Sequence, residues 1–370
     1  MTTPDAISYT VPYVEGDGVG PQLINYARDI ADKVMQKCYN GERTIEWQAL
    51  LCGEKAAEVY QGDWFPEHTL NMIELRQCAL IGPITAPIGY GFKSLNVALR
   101  HELGLTTSYT RYQTDNESDI YVIRDNSEDL PVKLEWQTDS FDGELLANFL
   151  KDELGVNKIP LAEKSVMALK YLSKARSEKL LSSAIELAKS RKIKNVIIIH
   201  HANSLPISEG SFVRWALASV SNNEDGQQHV TPPIHLDNIQ VDVCSLLQFF
   251  SHQNHLKQDT IYVCANYLAT IINEFFTGSL GLINKVSQTN FGNNIRIFEP
   301  KHGPLHALVG SDDITPIALL NAIISLLYHL DCDLAASTLA KAVFEVEKSL
   351  KDKAISFKQF QETLELSLCR

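Results

Sequence analysis

The sequence predicts an α/β fold in which parallel strands are joined by crossover helices. Short apolar runs alternate along the chain with segments of helical periodicity, the pattern of successive β-α-β units. Two strand-like runs, 10-TVPYVEGDGVG-20 and 78-CALIGPI-84, lead into Gly-rich turns and then helices. The 370 residues are 45% hydrophobic, with only 14 Pro and 19 Gly, enough for a large core in two domains or one large unit.

The elements can be justified in order. After the first turn, 21-PQLINYARDIADKVMQ-36 reads as a helix, with Pro21 at a first position where its missing N–H costs nothing. The second turn feeds a helix over 88–103. A long amphipathic helix over 177–192 precedes the strand 195-NVIIIH-200, and 259–276 reads as strand, turn and helix again. The polar stretches 112–118 and 221–235 read as loops. There is no internal repeat and no low-complexity tract.

Charge and cysteine usage exclude several classes. A net charge of −12, with both signs mixed along the chain, argues against a nucleic-acid or anionic-membrane surface, which needs a concentrated basic face. The amino terminus has no basic start followed by an apolar run, so no secretory signal is expected. The longest apolar stretches, 193–201 and 317–330, fall short of the roughly 20 residues of a membrane span. Seven scattered cysteines without a C-x-x-C pair predict reduced thiols in a cytoplasmic protein.

Alone, GDGVG at 16–20 predicts no more than a tight backbone bend. The segment 93-KSLNVALRHEL-103 says more. Ser94, Asn96 and Arg100 bring a hydroxyl, an amide and a guanidinium to what reads as a helix start, a cradle for carboxylates. Downstream, 124-RDNSEDL-130 adds Arg124. Singly each residue reads as a surface cap or salt bridge; together in one chain they point to anion binding.

The succession VPYVEGDGVG, GPITAPIGYGFKSLNVALRHEL, IRDNSEDL, LEWQTDS, HHAN, FEPKHGP and LLNAIISLLYHL resembles the isocitrate and isopropylmalate dehydrogenases, the β-decarboxylating dehydrogenases, in order and spacing. The segments 41-GERTIEW-47, 134-LEWQTDS-140 and 155-GVNKI-159 resemble the bacterial NADP-dependent isocitrate dehydrogenase branch. The resemblance implies a large domain from both chain ends (1–105 and 281–370), a small domain (106–128 and 174–280) and a clasp (129–173). It also implies a homodimer with active sites shared between subunits.

Function has to be argued residue by residue, because a fold does not fix it. In the family the Ser-x-Asn-x-x-x-Arg set and a further arginine bind the substrate's carboxylates, and Ser94, Asn96, Arg100 and Arg124 match them. Another family arginine has no clear match: Thr110 or Arg111 lies near its position, and Arg111 is the candidate replacement. The family's chemistry needs a tyrosine acid, a lysine and three aspartates around Mg²⁺ or Mn²⁺, a hard cation that prefers carboxylate oxygens. Here the tyrosine position is Pro131 and the lysine position is His201. Of the metal aspartates, one is Thr270, one is Glu274, and the partner-supplied one corresponds to Asp242 with Asp237 as the alternative.

The nucleotide positions differ too. His302 and Gly303 are retained, but the residue that selects between NAD and NADP is Ala307, and the expected asparagine is Thr315. The C-terminal tyrosine and arginine that grip a 2′-phosphate correspond to Phe357 and Gln361. No replacement keeps the charge that discriminates between cofactors. His252 and His255 tempt a metal reading but sit in a segment better read as a solvated loop. The expectation is a pseudoenzyme that binds a di- or tricarboxylate and regulates an active relative or another protein partner, with no bound NAD(P) and an empty metal site. The alternative is a repurposed enzyme using His201, and a residual NAD(P)-dependent dehydrogenase ranks third.

Overall fold

A computed structural model describes residues 6–85, 95–114, 118–132, 134–156, 164–221, 232–251, 258–349 and 356–369. The chain divides into two compact units, residues 1–113 with 274–370, and residues 114–273. The first unit opens with β1 (Ile7–Val14), α1 (Gly20–Tyr39), β2 (Arg43–Leu50), α2 (Glu54–Val59), α3 (Glu67–Arg76), β3 (Cys78–Ile81), α4 (Leu95–Glu102) and β4 (Thr107–Gln113). The second contains β5 (Asp119–Asp125), β6 (Glu135–Gln137), α5 (Phe141–Asp152), β7 (Val166–Ala168), α6 (Lys174–Arg191), β8 (Asn195–His200) and α7 (Ser208–Ala218). It continues with β9 (Ile234–Leu236), β10 (Ile239–Ser245), α8 (Leu246–Ser251), β11 (Thr260–Cys264) and the start of α9 (Asn266–Ser279). The chain then completes the first unit with β12 (Ser287–Gly292), β13 (Ile295–Pro300), α10 (Ile317–His329), α11 (Asp333–Ser349) and α12 (Phe357–Cys369).

In the first unit the strands run in the order β2-β1-β3-β13-β12-β4, with β1, β2, β3 and β13 mutually parallel and β12 antiparallel to both neighbours. The two-residue period of a strand sorts its side chains between two cores. Val11, Tyr13, Cys78 and Leu80 face the layer of α1, α10, α11 and α12, while Val14, Ala79 and Ile81 face the layer of α3 and α4. A sheet covered on both faces must have apolar parallel strands, which is why β3 is buried at every position. α10 is buried along most of its length for the same reason, carrying Leu319, Leu320, Ile323, Ile324, Leu326 and Leu327.

The second unit orders its strands β5-β11-β8-β10-β9, all parallel except β9, while β6 and β7 form a separate antiparallel pair. The strand expected at 195–200 is β8, and the strand, turn and helix expected over 259–276 are β11 and α9. α1 runs past residue 36 to Tyr39 and ends where Asn40 adopts the left-handed conformation. The polar stretch 221–235 is not loop throughout. Ile234 and His235 belong to β9, where main-chain pairing with β10 overrides the turn-like composition.

Candidate functional site

In the first unit the Gly-rich turn is a packing device. Gly16 and Gly18 have φ of +76° and +57°, and a Cβ on either would lie 2.4 Å from the Pro83 carbonyl oxygen or 2.1 Å from that of Pro304. The turn is pinned at both points, Asp17 N–H donating to Pro83 O at 2.7 Å and Val19 N–H to Pro304 O at 2.9 Å. The buried Asp17 carboxylate between them accepts from the Glu54 N–H at 3.0 Å and the Thr85 N–H at 2.6 Å. These contacts bring three sequence-distant segments together at the carboxyl ends of β1 and β3, where open α/β sheets bind ligands.

At this edge Thr85 Oγ1 donates to Glu54 Oε1 at 2.9 Å, and His306 Nε2 lies 3.1 Å from Thr85 Oγ1 and 3.5 Å from Glu54 Oε1. Sequence reasoning passed over Glu54 and His306, whose proximity depends on packing between segments about 250 residues apart. His302 is more enclosed. Burial pushes its pKa down, opposed by a hydrogen bond to the Gly303 carbonyl at 2.8 Å, so the ring is neutral at pH 7. Ala307 is exposed in the short 3-10 turn His306–Leu308, entered through Leu305 at φ +48°. Thr315, one residue before the N-cap of α10, accepts from the Ile317 N–H at 3.4 Å, while Phe357 is buried edge-to-face against Tyr26.

Arg100 is partly exposed and occupies the last turn of α4, not its start as the spacing suggested. Five residues of helix set its Cα about 7.5 Å along the axis from Leu95, and its charge complements the negative end of the dipole. Ser94 and the Asn96 side chain lie outside the described residues, as do His252 and His255.

The second unit carries Arg124, Pro131, His201, Asp242 and Thr270, positions where the family resemblance expects binding and chemistry. Arg124, next to last in β5, pairs with Cys264 of β11, and its Nη1 donates to Thr270 Oγ1 on α9 at 3.2 Å. Thr270 Oγ1 also donates to the Asn266 carbonyl at 3.3 Å. Glu274, one turn further along α9, is exposed and is already the first residue of the returning segment of the first unit. Asp242 is a half-buried residue of β10 that accepts from the Val243 N–H at 2.8 Å and lines a groove of about 390 Å³ with Asn195, Gln240, Cys244 and Thr260. Asp237 sits in the β9–β10 turn at φ +55°. Among the described residues no three His, Cys, Asp or Glu side chains form a group able to hold a metal ion.

His201 follows β8 and is exposed, with its Nε2 2.9 Å from Ser204 Oγ. Its neighbour His200 accepts from the Ala202 N–H through Nδ1 at 3.0 Å, and burial lowers its pKa despite Glu209. Beneath them lies a charge cluster that sequence reasoning missed. Lys170 Nζ donates to Asp129 Oδ1 at 2.6 Å and Glu209 Oε1 at 2.8 Å, with both carboxylates almost wholly buried. Burial opposes the lysine's charge, but the two carboxylate bonds outweigh it and raise its pKa. A lysine inside 166-VMALKYL-172 carries no local signal of such partners, which lie 41 and 39 residues away in sequence.

Comparison with known proteins places these observations. The family model described as isocitrate/isopropylmalate dehydrogenase matches residues 10–363. The NADP isocitrate dehydrogenase of Streptococcus salivarius is 30% identical over 357 residues, 92% of this chain and 88% of that protein. NADP isocitrate dehydrogenase 1 of Psychrobacter sp. (strain 13A) is 29% identical over 330 residues, 84% of this chain and 78% of that protein. The crystal structure of isocitrate dehydrogenase from Methylococcus capsulatus superposes with a TM-score of 0.75 over 98% of this chain and 100% of that one, at 21% identity, and so shares the fold. With the family model spanning almost the whole sequence, the chain belongs to the isocitrate/isopropylmalate dehydrogenase family.

Proposed function

We propose that this chain binds a di- or tricarboxylate through Ser94, Asn96, Arg100 and Arg124, and does not perform oxidative decarboxylation. The observation that carries the reading is the Arg124–Thr270 hydrogen bond. Where the family resemblance expects an aspartate beside a divalent ion, a neutral hydroxyl accepts from a guanidinium. The local charge is one unit more positive than with aspartate, which favours an anion and disfavours Mg²⁺. Pro131 has no proton to give and His201 stands in for the lysine, so the residues present do not fit the metal-dependent chemistry. Nor do Ala307, Thr315 and Gln361 offer charge to a ribose phosphate, and the residues present do not fit NADP. The reading includes the homodimer, which the exposed apolar Leu247 and Phe250 of α8 support, a cytoplasmic location and a regulatory role.

A second reading rests on the His201–Ser204 contact. His201, with Asp242 or Glu274 as its partner, would act as acid and base on an isocitrate-like acid without redox chemistry. A third, a residual NAD(P)-dependent dehydrogenase, draws on the names of the similar proteins. Calorimetric titration of citrate or isocitrate, with a chelator present, separates them. Binding without metal supports the first reading. A requirement for Mn²⁺ together with nicotinamide reduction rejects it in favour of the third, and metal-free turnover abolished by His201→Ala establishes the second.

A further inference from the structure

Pro131, His201 and Thr270 lie on three different segments of the second unit: the turn after β5, the turn after β8, and α9. The geometry points to Lys170 as the positioning residue that holds these three segments in one arrangement, although it has no place in the carboxylate cradle proposed above. Its ammonium has two carboxylate arms, and each arm grips a different segment with its second oxygen.

On one arm, Asp129 Oδ1 takes Lys170 Nζ at 2.6 Å and also the Leu130 N–H at 2.8 Å. Its Oδ2 takes the Tyr267 N–H in the first turn of α9 at 2.8 Å. Asp129 is fully buried and holds a left-handed backbone at φ +73°. The Asn266 side chain reinforces this arm by donating to the Glu128 carbonyl at 3.0 Å. On the other arm, Glu209 Oε1 takes Lys170 Nζ at 2.8 Å and Oε2 takes the His201 main-chain N–H at 3.3 Å. One cation therefore fixes the Pro131 turn, the start of the Thr270 helix and the His201 backbone. Without it, two buried carboxylates would lose their counter-charge and would hold water or protons instead of these N–H groups.

A lysine that only supported the fold would lower stability without altering the three segments in the surviving native state. Amide hydrogen exchange of the full-length chain, under conditions where the fold persists, distinguishes the two roles. Lys170→Met should accelerate exchange at both the His201 and Tyr267 amides by about tenfold or more, relative to core amides of β11. Lys170→Arg, which keeps the charge and its donors, should restore slow exchange at both. Glu209→Gln provides a milder variant should Lys170→Met not fold. Its single side-chain oxygen cannot serve Lys170 and the His201 N–H together, so His201 should exchange faster and Tyr267 should not. Unchanged His201 and Tyr267 exchange in folded Lys170→Met, or in Glu209→Gln an unchanged His201, would overturn the inference. The inference concerns the scaffold of the proposed ligand site, yet exchange is read without ligand. A failure of citrate to bind the wild-type chain would therefore reject the carboxylate reading and leave the Lys170 result to stand or fall separately.

Discussion

Arg124 Nη1 donates to Thr270 Oγ1 across 3.2 Å, so that a guanidinium and a neutral hydroxyl meet at the end of β5. Because a hydrogen bond from a charged donor is worth about 1.5–3 kcal/mol when its partner is buried, and this pair is only partly enclosed, Thr270→Ala should cost about 1 kcal/mol in urea unfolding. Thr270→Asp should instead bring an ion pair to Arg124 and weaken citrate binding, since the new carboxylate competes with the ligand. Equal citrate affinity in Thr270→Asp and wild type would show that Arg124 takes no part in binding.

Removing Lys170 strands two buried carboxylates. Loss of one partner from a buried ion pair costs about 3–5 kcal/mol, and Lys170→Met should fall in that range by denaturant unfolding. The pKa of Lys170 is raised in the fold above 10.5, so its contribution is fully present below pH 10.5 and is lost as pH rises through the higher folded value. Wild type should lose stability in that alkaline window more steeply than Lys170→Met. Parallel profiles would contradict the assignment of charge to Lys170.

His329 supplies the opposite dependence. Burial, aided by Arg296 and opposed by Asp331, pushes its pKa down to about 4. A histidine kept neutral in the fold contributes stability above its unfolded pKa of 6.5 and loses it as pH falls toward 4. Replacing His329 with Gln should flatten the fall in unfolding free energy between these pH values, even if the contact of its ring with Phe298 at 5.7 Å is lost. An unchanged slope would place the acid sensitivity elsewhere.

At the Gly-rich turn, Gly18→Ala combines a left-handed backbone with a Cβ driven to 2.1 Å from the Pro304 carbonyl oxygen. Both effects act in the same direction, and a loss of about 3 kcal/mol or more is expected in thermal or chemical unfolding. A loss below about 1 kcal/mol would mean that the turn moves away from Pro304 at little cost.

Much of the fold was legible because it depends on local patterns. β8 and β11 are near-continuous apolar runs, as buried parallel strands must be, and α1 begins at a Gly-Pro pair. The edge strand β9 was hidden because its formation depends on the neighbouring β10 and not on its own residues. The location of Arg100 was misread because spacing gives a shared helix face but not the helix end. The Lys170 cluster was invisible for a different reason. Asp129, Lys170 and Glu209 are ordinary charged residues in sequence, and only chain packing buries them together. His306 beside Thr85 and Glu54 is the same kind of long-range consequence.

The central claim is carboxylate binding without metal or redox chemistry, and the melting temperature of the full-length chain with citrate, measured in the presence of a chelator, tests it most directly. A ligand that binds only the folded state raises its stability by mass action, about 2.7 kcal/mol at a hundredfold excess over the dissociation constant. The account predicts a concentration-dependent rise that is abolished by Arg124→Ala or Arg100→Ala and kept in Glu274→Ala. No rise with citrate, or a rise that appears only when Mn²⁺ is added and is lost in Glu274→Ala, would contradict it.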